Sequence, residues 1–341
     1  MTGILHIAEA GPLVTVQDAG RPGRMAVGLS PGGAMDRLAL LEGAALLGLP
    51  QPGAAIEMAG LGGRFTCDVP LRLALTGAEM SARIDDAPCG WNASHLLMPG
   101  QTLTIGGARA GTYGYLTPAA GIAEPPLLNS RAAHLSVGLG RVLRAGDRLS
   151  LGADPDPRGR QMGLAPDDRL SGGPLRLMPW PQTDWFDAAT RDRLARTAFR
   201  RSPRANRTGL PLIHDGDGFA ARTATSPVSD FIVSGDVQIT GDGTPYLMLA
   251  ECQTIGGYPR IGTVIAADLP RAAQATPADT LTFTWITAEE AEAAMRTDAA
   301  LRADLARHLQ PLIRDPADMP DLLSYNLIGG VTAGRDPETL P

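Results

Sequence analysis

Three short stretches concentrate the residues that could do chemistry. They are "TVQDAGRPG" at 15–23, "SPGGAMD" at 30–36 and "ECQTIGGYPRIG" at 251–262; "LNSRAAHLSVGLGR" (128–141) and "SPRANRTGLPL" (202–212) are lesser clusters. Each mixes acids, hydroxyls, amides or arginines with glycines. Glycine lets the backbone approach a small molecule closely. A turn before a helix offers N–H groups to an anion, and arginine grips carboxylate or phosphate through two parallel hydrogen bonds. The last stretch holds more special residues than a hairpin needs. Glu251, Cys252 and Gln253 close a hydrophobic strand, Gly256, Gly257, Tyr258, Pro259 and Arg260 follow, and a second hydrophobic run begins. Such a turn reads as part of the wall of a pocket for a small acid or amide.

Each feature also has a plainer explanation. Arg21 pairs with Asp18 in a tight turn. Gly256 and Gly257 permit positive φ and close packing at a barrel corner. Gln253 and Thr254 hydrogen-bond within the turn. Cys252 has no histidine near it in sequence and reads as a buried or idle thiol rather than a nucleophile. The five histidines (His6, His95, His134, His214, His308) show no metal-ligand spacing, and His134 in "SRAAH" reads as structural. The pairs Asp85-Asp86 and Asp167-Asp168 read as solvated turns.

Composition narrows the chemistry. Lys+Arg total 30 and the chain contains no lysine, so every one is arginine. That excludes a Walker A loop, a lysine Schiff base and a biotinyl-lysine on this chain. Any phosphate or carboxylate must be met by arginine, backbone N–H groups, hydroxyls or another polypeptide. With a net charge of -6 and scattered arginines, a nucleic-acid role is not expected. The N-terminus has no basic n-region followed by an apolar core, and no apolar run approaches the ~20 residues of a membrane span. Three widely spaced cysteines without a CxxC fit a reducing, cytoplasmic setting.

Around these clusters the sequence predicts mainly strands. The 341 residues, with 44% hydrophobic content, 41 glycines and 29 prolines, suggest two domains at ~100–200 residues each, with short strands and many turns. Residues 1–28 read as strand, turn, strand, and a helix is expected from about Met35 to Leu47. From Ala55 to Leu151 short alternating runs recur. One pattern appears three times, as "PGQTLTIGG" (99–107), "AGDRLSLGA" (145–153) and "PADTLTFTW" (277–285), each a turn leading into a strand. Pro, Asp, Arg and Gly at 154–173 suggest a linker between an N-terminal β domain (1–153) and a C-terminal β domain (174–316), with a tail at 317–341. The stretch "TDWFDAATRDRLARTAFRR" is expected to be helical, capped by Thr183 or Asp184. Residues 287–309 are expected to form the longest helix, with a Thr287/Glu290 capping box and an apolar stripe of Met295, Leu301, Leu305 and Leu309. The fold class is mainly β with a few helices, the sheets closed or sandwiched.

The motifs V-Q-D-x-G-R-P-G at the start and Q-T-x-G-G-Y-P-R-I-x-T-V near the end, with "SDFIVSGDVQITGDGTPYLMLAE" leading into the second, resemble the KipA family. That family is also called PxpC, the C-type component of the bacterial ATP-dependent 5-oxoprolinase. Its relatives include the second half of the carboxyltransferase region of urea carboxylase, often labelled allophanate hydrolase subunit 2. The similarity runs from about residue 11 to 285. Many relatives have A-D-R-Q-T where this chain has Ala250, Glu251, Cys252, Gln253 and Thr254, so an acid is kept and an arginine is lost.

The resemblance implies cyclophilin-like β-barrel units and a chain that helps open 5-oxoproline to glutamate at the expense of ATP. It implies A-type and B-type 5-oxoprolinase partners (the latter KipI-like), with ATP held mainly by a partner. Phosphorylating the lactam oxygen would make a poor electrophile open to water, which requires a clamp for phosphate and carboxylate. Arg21, Arg260, Arg131 and Arg207 are the candidates, with Asp18 or Glu251 as general base or as orienters of arginine. Gln17, Ser30, Gly33, Gln238, Gln253, Thr254, Gly256, Gly257 and Tyr258 complete the expected substrate site, and no metal ligands are expected. Two alternatives stay open: a carboxyltransferase component taking a carboxyl group from biotin carried on another polypeptide, and a regulatory protein that binds its B-type partner. The catalytic reading requires the early and late stretches to meet in space, with guanidinium and amide groups facing a common cavity.

Overall fold

The structure, a computed structural model, describes residues 3–222 and 229–313; the expected tail at 317–341 lies outside the described residues. Two β units are seen. In the first, the strands are β1 (Ile4–Ala10), β2 (Val14–Gln17), β3 (Ala55–Ala59), β4 (Leu61–Cys67), β5 (Leu71–Ile84), β6 (Ala87–Pro88), β7 (Ala93–Leu97), β8 (Leu103–Pro118), β9 (Arg148–Ser150) and β10 (Met162–Gly163). The long strands β5 and β8 pair antiparallel along most of their length, and β4, β1 and β9 extend the sheet beyond β8. Period-two alternation drives this: Leu5 and Ile7, Leu73 and Leu75, and Leu103 and Ile105 all turn into one core. The repeated turn-and-strand pattern opens β8 and β9 here and one strand of the second unit.

The helix α1 (Arg37–Leu47) packs on this sheet. It starts two residues after Met35 because the Met35 N–H is taken by Glu57 Oε2 (2.9 Å), while the Asp36 side chain accepts from Ala39 N. Gly48, at φ +68°, ends it in the left-handed conformation that glycine adopts without strain.

The second unit is a closed barrel of β11 (Gly173–Met178), β12 (Phe199–Arg201), β13 (Gly209–Ile213), β15 (Asp236–Ile239), β16 (Pro245–Met248), β18 (Arg260–Val264) and β19 (Thr280–Trp285). A parallel β11–β19 pairing completes the ring. A small antiparallel pair, β14 (Asp230–Phe231) and β17 (Ile255–Gly256), stands beside it. The barrel interior is filled by Leu175, Leu177, Phe199, Leu212, Val237, Ile239, Leu247, Ile261 and Phe283, so it is packed as hydrophobic core.

The stretch 154–173 joins the two units and is itself packed. Within it β10 pairs with β7 and with β20 (Gln310–Pro311), and a 3-10 turn at Asp168–Ser171 carries the buried Arg169. Arg169 donates to Asp36 Oδ2 (2.8 Å) and to both oxygens of Glu42 (2.8 and 2.7 Å). A guanidinium shared between two buried carboxylates fixes this strap over the helix start. The short α3 (Leu269–Gln274) adds a second tie. Gln274 Oε1 accepts from Thr112 N and Tyr113 N, and its Nε2 donates to Asp36 Oδ2 and Tyr113 O.

Two helix expectations need correction. Residues 287–309 form two helices, α4 (Ala288–Ala294) and α5 (Asp298–Arg307). The Thr287/Glu290 capping box is present, but Thr297 caps a fresh helix start, and Met295 between them is 75% exposed. A second cap inside an apolar pattern outweighed the periodicity. Likewise α2 (Ala188–Arg196) is capped by Asp187; Thr183 and Asp184 lie in a 3-10 turn before it, and Phe199 lies in β12. Among the described residues no helix is long and apolar enough to cross a membrane.

Candidate functional site

The early and late stretches do meet. Gly32 N–H donates to Ala250 O (3.1 Å), which sets the 30–36 turn against the end of β16. Between them stands Arg207, from the loop before β13. Its Nε donates to Glu251 Oε1 (2.5 Å), its Nη1 to Glu57 Oε1 and its Nη2 to the Gly33 carbonyl (2.6 Å). Burial opposes the charge on Arg207, but the attraction of Glu57 and Glu251 wins and raises its pKa. Glu57 Oε2 also accepts from Tyr115 Oη (2.7 Å), and Glu251 Oε2 from Ser136 N (3.1 Å). Glu57, Arg207, Glu251 and Ser136 line one wall of a cavity of about 520 Å³ between the two β units, with Thr15, Tyr113, Asn206 and Thr208 among the other lining residues.

Behind Glu251 lies a buried chain of polar groups. His134 Nε2 shares a hydrogen bond with Ser30 Oγ (2.9 Å), and its Nδ1 lies 3.0 Å from Ser136 Oγ and 3.7 Å from Glu251 Oε2. Burial lowers the His134 pKa more than Glu251 raises it, so the imidazole is held neutral. Ser30 and His134 are 3% and 1% exposed, and this chain reaches Glu251 through Ser136, whose N–H donates to Glu251 Oε2.

The other residues of the early stretch have local roles. Asp18 accepts from Gly20 N (2.8 Å), Ser130 Oγ (2.6 Å) and Arg131 N (2.6 Å). Arg21 donates to the carbonyls of Leu127, Ser130 and Ala132 and is 2% exposed. Its Nε and Nη2 clamp the 127–132 loop, while its buried Nη1 has no hydrogen-bond partner among the described residues. Arg131 reaches the Glu124 carbonyl, and Gln17 Nε2 is bonded to Thr15 Oγ1 and Ala133 O. The turn before α1 is no anion cradle either. The N–H groups of Gly32, Ala34, Met35 and Asp36 are taken by Ala250 O, Asp18 O, Glu57 Oε2 and Tyr115 Oη. Gly33, at φ +86°, is required there: a Cβ would lie 2.8 Å from both Asp18 O and Gly20 N.

Arg260 is likewise internal. It donates to Phe231 O (2.8 Å), Asp236 Oδ2 (3.2 Å) and Asp230 Oδ2, and sits over the Trp180 and Phe231 rings. It shares no partner with Arg21 among the described residues, so the expected joint clamp is not formed; Arg21 braces a loop through its carbonyls, and Arg260 through a carbonyl and two carboxylates. Two further residues of the late stretch, Gln253 and Tyr258, lie at a second cavity, about 600 Å³, on the outer face of the barrel. Gln238, Gln253 and Tyr258 line it, with Arg204, Asn206, Thr208, Tyr246 and Met248. The two cavities share Asn206 and Thr208 in their linings. Thr254 is buried, and its carbonyl accepts from Ile232 N. Gly256 and Gly257 do not take positive φ; Gly256 is needed for space, since a Cβ would lie 2.3 Å from Ile232 Cδ1. Gly257 is exposed.

Sequence reasoning missed Glu57, Tyr115 and Ser136. Glu57 did leave a signal, as a lone acid in the otherwise apolar "AAIEMAG". A charge in a buried strand needs a partner, although nothing in the sequence says which. Cys252 is 3% exposed, and burial pushes its pKa up to about 12, which makes a nucleophilic role untenable.

Comparison with known proteins adds context. Residues 27–285 match the family described as carboxyltransferase domain, subdomain A and B. The chain is 34% identical over 295 residues to the C-type subunit of 5-oxoprolinase from Escherichia coli, covering 84% of this chain and 93% of that protein. It is 26% identical to urea amidolyase of Lachancea kluyveri, covering 91% of this chain and 18% of the relative. The crystal structure of Kluyveromyces lactis urea carboxylase superposes with a TM-score of 0.79 at 20% identity, covering 92% of this chain and 31% of that one. Another solved chain, at 29% identity and a TM-score of 0.75, is spanned over 56% of its length.

Proposed function

The chain belongs to the carboxyltransferase domain, subdomain A and B, family, and on that premise we propose that it is the C-type component of an ATP-dependent 5-oxoprolinase. The reaction is 5-oxoproline + ATP + water to glutamate + ADP + phosphate. One observation carries the reading: Arg207, in the wall of the cavity between the two β units, is hydrogen-bonded both to Glu251 of the late stretch and to the Gly33 carbonyl of the early one. Glu57 and Glu251, held by one guanidinium, are the proton-handling pair, and His134 acts on Glu251 through Ser136, whose Oγ it bonds and whose N–H holds Glu251 Oε2.

The residues present do not fit a triphosphate. The chain has no lysine, the N–H groups of Gly32, Ala34, Met35 and Asp36 are occupied, Arg207 and Arg260 are paired with internal carboxylates, and Arg21 is buried among backbone carbonyls. We therefore assign the nucleotide to a partner polypeptide. The E. coli relative is named as one component of a larger enzyme, which supports an assembly of this kind.

The test is reconstitution with the A-type and B-type 5-oxoprolinase counterparts. Glutamate release is expected only when all chains and ATP are present. Robust turnover by the isolated chain, or none by the full assembly, overturns the proposal. The similarity to urea amidolyase favours a second reading, a carboxyltransferase acting with biotin borne on another polypeptide. Inhibition of the assembled activity by avidin identifies that case, whereas the oxoprolinase is indifferent to avidin.

A further inference from the structure

The cavity on the outer face of the barrel has a composition that points to a ligand. Along β15, Val237 and Ile239 enter the barrel core, so the alternation turns Gln238 outward to the cavity wall. Gln238 is 4% exposed, and its Nε2 has no hydrogen-bond partner among the described residues. Buried amide groups are normally satisfied. Arg204 lines the same cavity. Its backbone N–H bonds Ser202 Oγ, and among the described residues no carboxylate pairs with its guanidinium, in contrast to Arg169, Arg207 and Arg260. The one acid in the lining, Asp242, is engaged by Thr240 Oγ1 and Thr244 N. Tyr246, Met248 and Tyr258 supply flat apolar surface. The cavity between the units meets this one at Asn206 and Thr208, so a ligand seated here adjoins the space that Glu57 and Glu251 line.

We propose that the outer cavity binds a small cyclic amide carrying a carboxylate, and that Gln238 is its specificity-determining residue. This rests on the oxoprolinase reading and assigns the substrate's amide edge. A five-membered lactam is held cis, so its N–H and C=O lie on one edge. The primary amide of Gln238 offers the complementary acceptor and donor side by side and pairs with both. Open-chain secondary amides are trans, present the two groups on opposite edges, and cannot pair in this way. Arg204 takes the carboxylate, and the tyrosines flank the ring.

Calorimetric titration of the full chain, by itself and in the reconstituted assembly, tests the assignment with 5-oxoproline, N-methyl-5-oxoproline, N-acetylglycine and biotin. The lactam is expected to bind more than about 10-fold tighter than its N-methyl form or the open-chain amide. Gln238→Leu is expected to abolish that preference. Arg204→Ala, at an exposed position where folding is not at stake, weakens lactam binding by about 10-fold. No lactam binding in either setting, equal affinity for the N-methyl form, or unchanged affinity in both variants overturns the site. Biotin, whose ureido ring has the same cis edge, binding tighter than the lactam and dependent on Gln238 keeps the cis-amide site and overturns the oxoprolinase reading. So does lactam binding through Gln238 with no glutamate released by the assembly. Glutamate release with KM unchanged by Gln238→Leu does the reverse.

Discussion

Replacing Arg207 with methionine removes the one cation between two buried acids. Glu57 and Glu251 are 2% and 3% exposed, and the Arg207 side chain is itself only 11% exposed. Leaving a buried charge unpaired costs about 3–5 kcal/mol, which is the expected loss of stability near neutral pH. The loss should depend on pH with a definite sign. Without the guanidinium, burial and mutual repulsion raise the folded-state pKa of the acids above their unfolded value of about 4.3. The folded variant then binds protons more readily than the unfolded chain, so its deficit is largest at high pH and shrinks as pH falls. Each acid whose folded pKa lies above the interval recovers up to about 2.7 kcal/mol between about pH 7.5 and about pH 5.5. Urea unfolding followed by tryptophan fluorescence at those two pH values measures both effects. Adding Glu57→Gln and Glu251→Gln to the same chain should restore most of the stability, since no buried charge is left alone. A deficit under about 1 kcal/mol at both pH values, or a deficit that grows on acidification, refutes the view that Arg207 is the electrostatic keystone of this cavity.

The same neighbourhood yields further expectations. His134, with its pKa lowered chiefly by burial, should remain neutral in an NMR titration below its ordinary value of about 6.5; stability is then lost as pH falls from that value toward the folded pKa, and His134→Gln should flatten this loss. A titration midpoint above the ordinary histidine range would contradict it. Cys252, pushed up to about 12 by burial, should resist iodoacetamide in the native protein and react in urea, and Cys252→Ser should leave turnover intact; rapid native labelling would show an accessible thiol. Gly33→Ala places a side chain at φ +86° and within 2.8 Å of the Asp18 carbonyl, so calorimetry should show a loss of at least about 1–3 kcal/mol; a silent substitution would mean the turn is free to adjust.

Local codes made part of this protein legible. Alternation gave the mainly β class and the strands opened by the three repeated turns. The Thr287/Glu290 capping box was readable because its partners are three residues apart, yet the same apolar stripe concealed the break at Met295, where Thr297 offers a competing cap. The polar-glycine clusters flagged two segments that do touch, at Gly32 and Ala250. Their individual roles did not follow. Arg21 and Arg260 look in sequence like ligands for an anion, and in the fold they hold carbonyls and internal carboxylates. Glu57, which faces the cavity, stood out only as an isolated acid in an apolar strand.

Residue order alone determined which segments form strands, where helices could start, and that no lysine would be available for phosphate or biotin chemistry. Tertiary structure decided which arginines are already occupied and which side chains share a cavity. Glu57 and Arg207 are 150 positions apart, and Asp36 and Arg169 are 133 apart. Periodicity and capping act over a few residues. The attraction between charges depends on their distance and on the water excluded around them, and both are fixed only when the two β units close on each other.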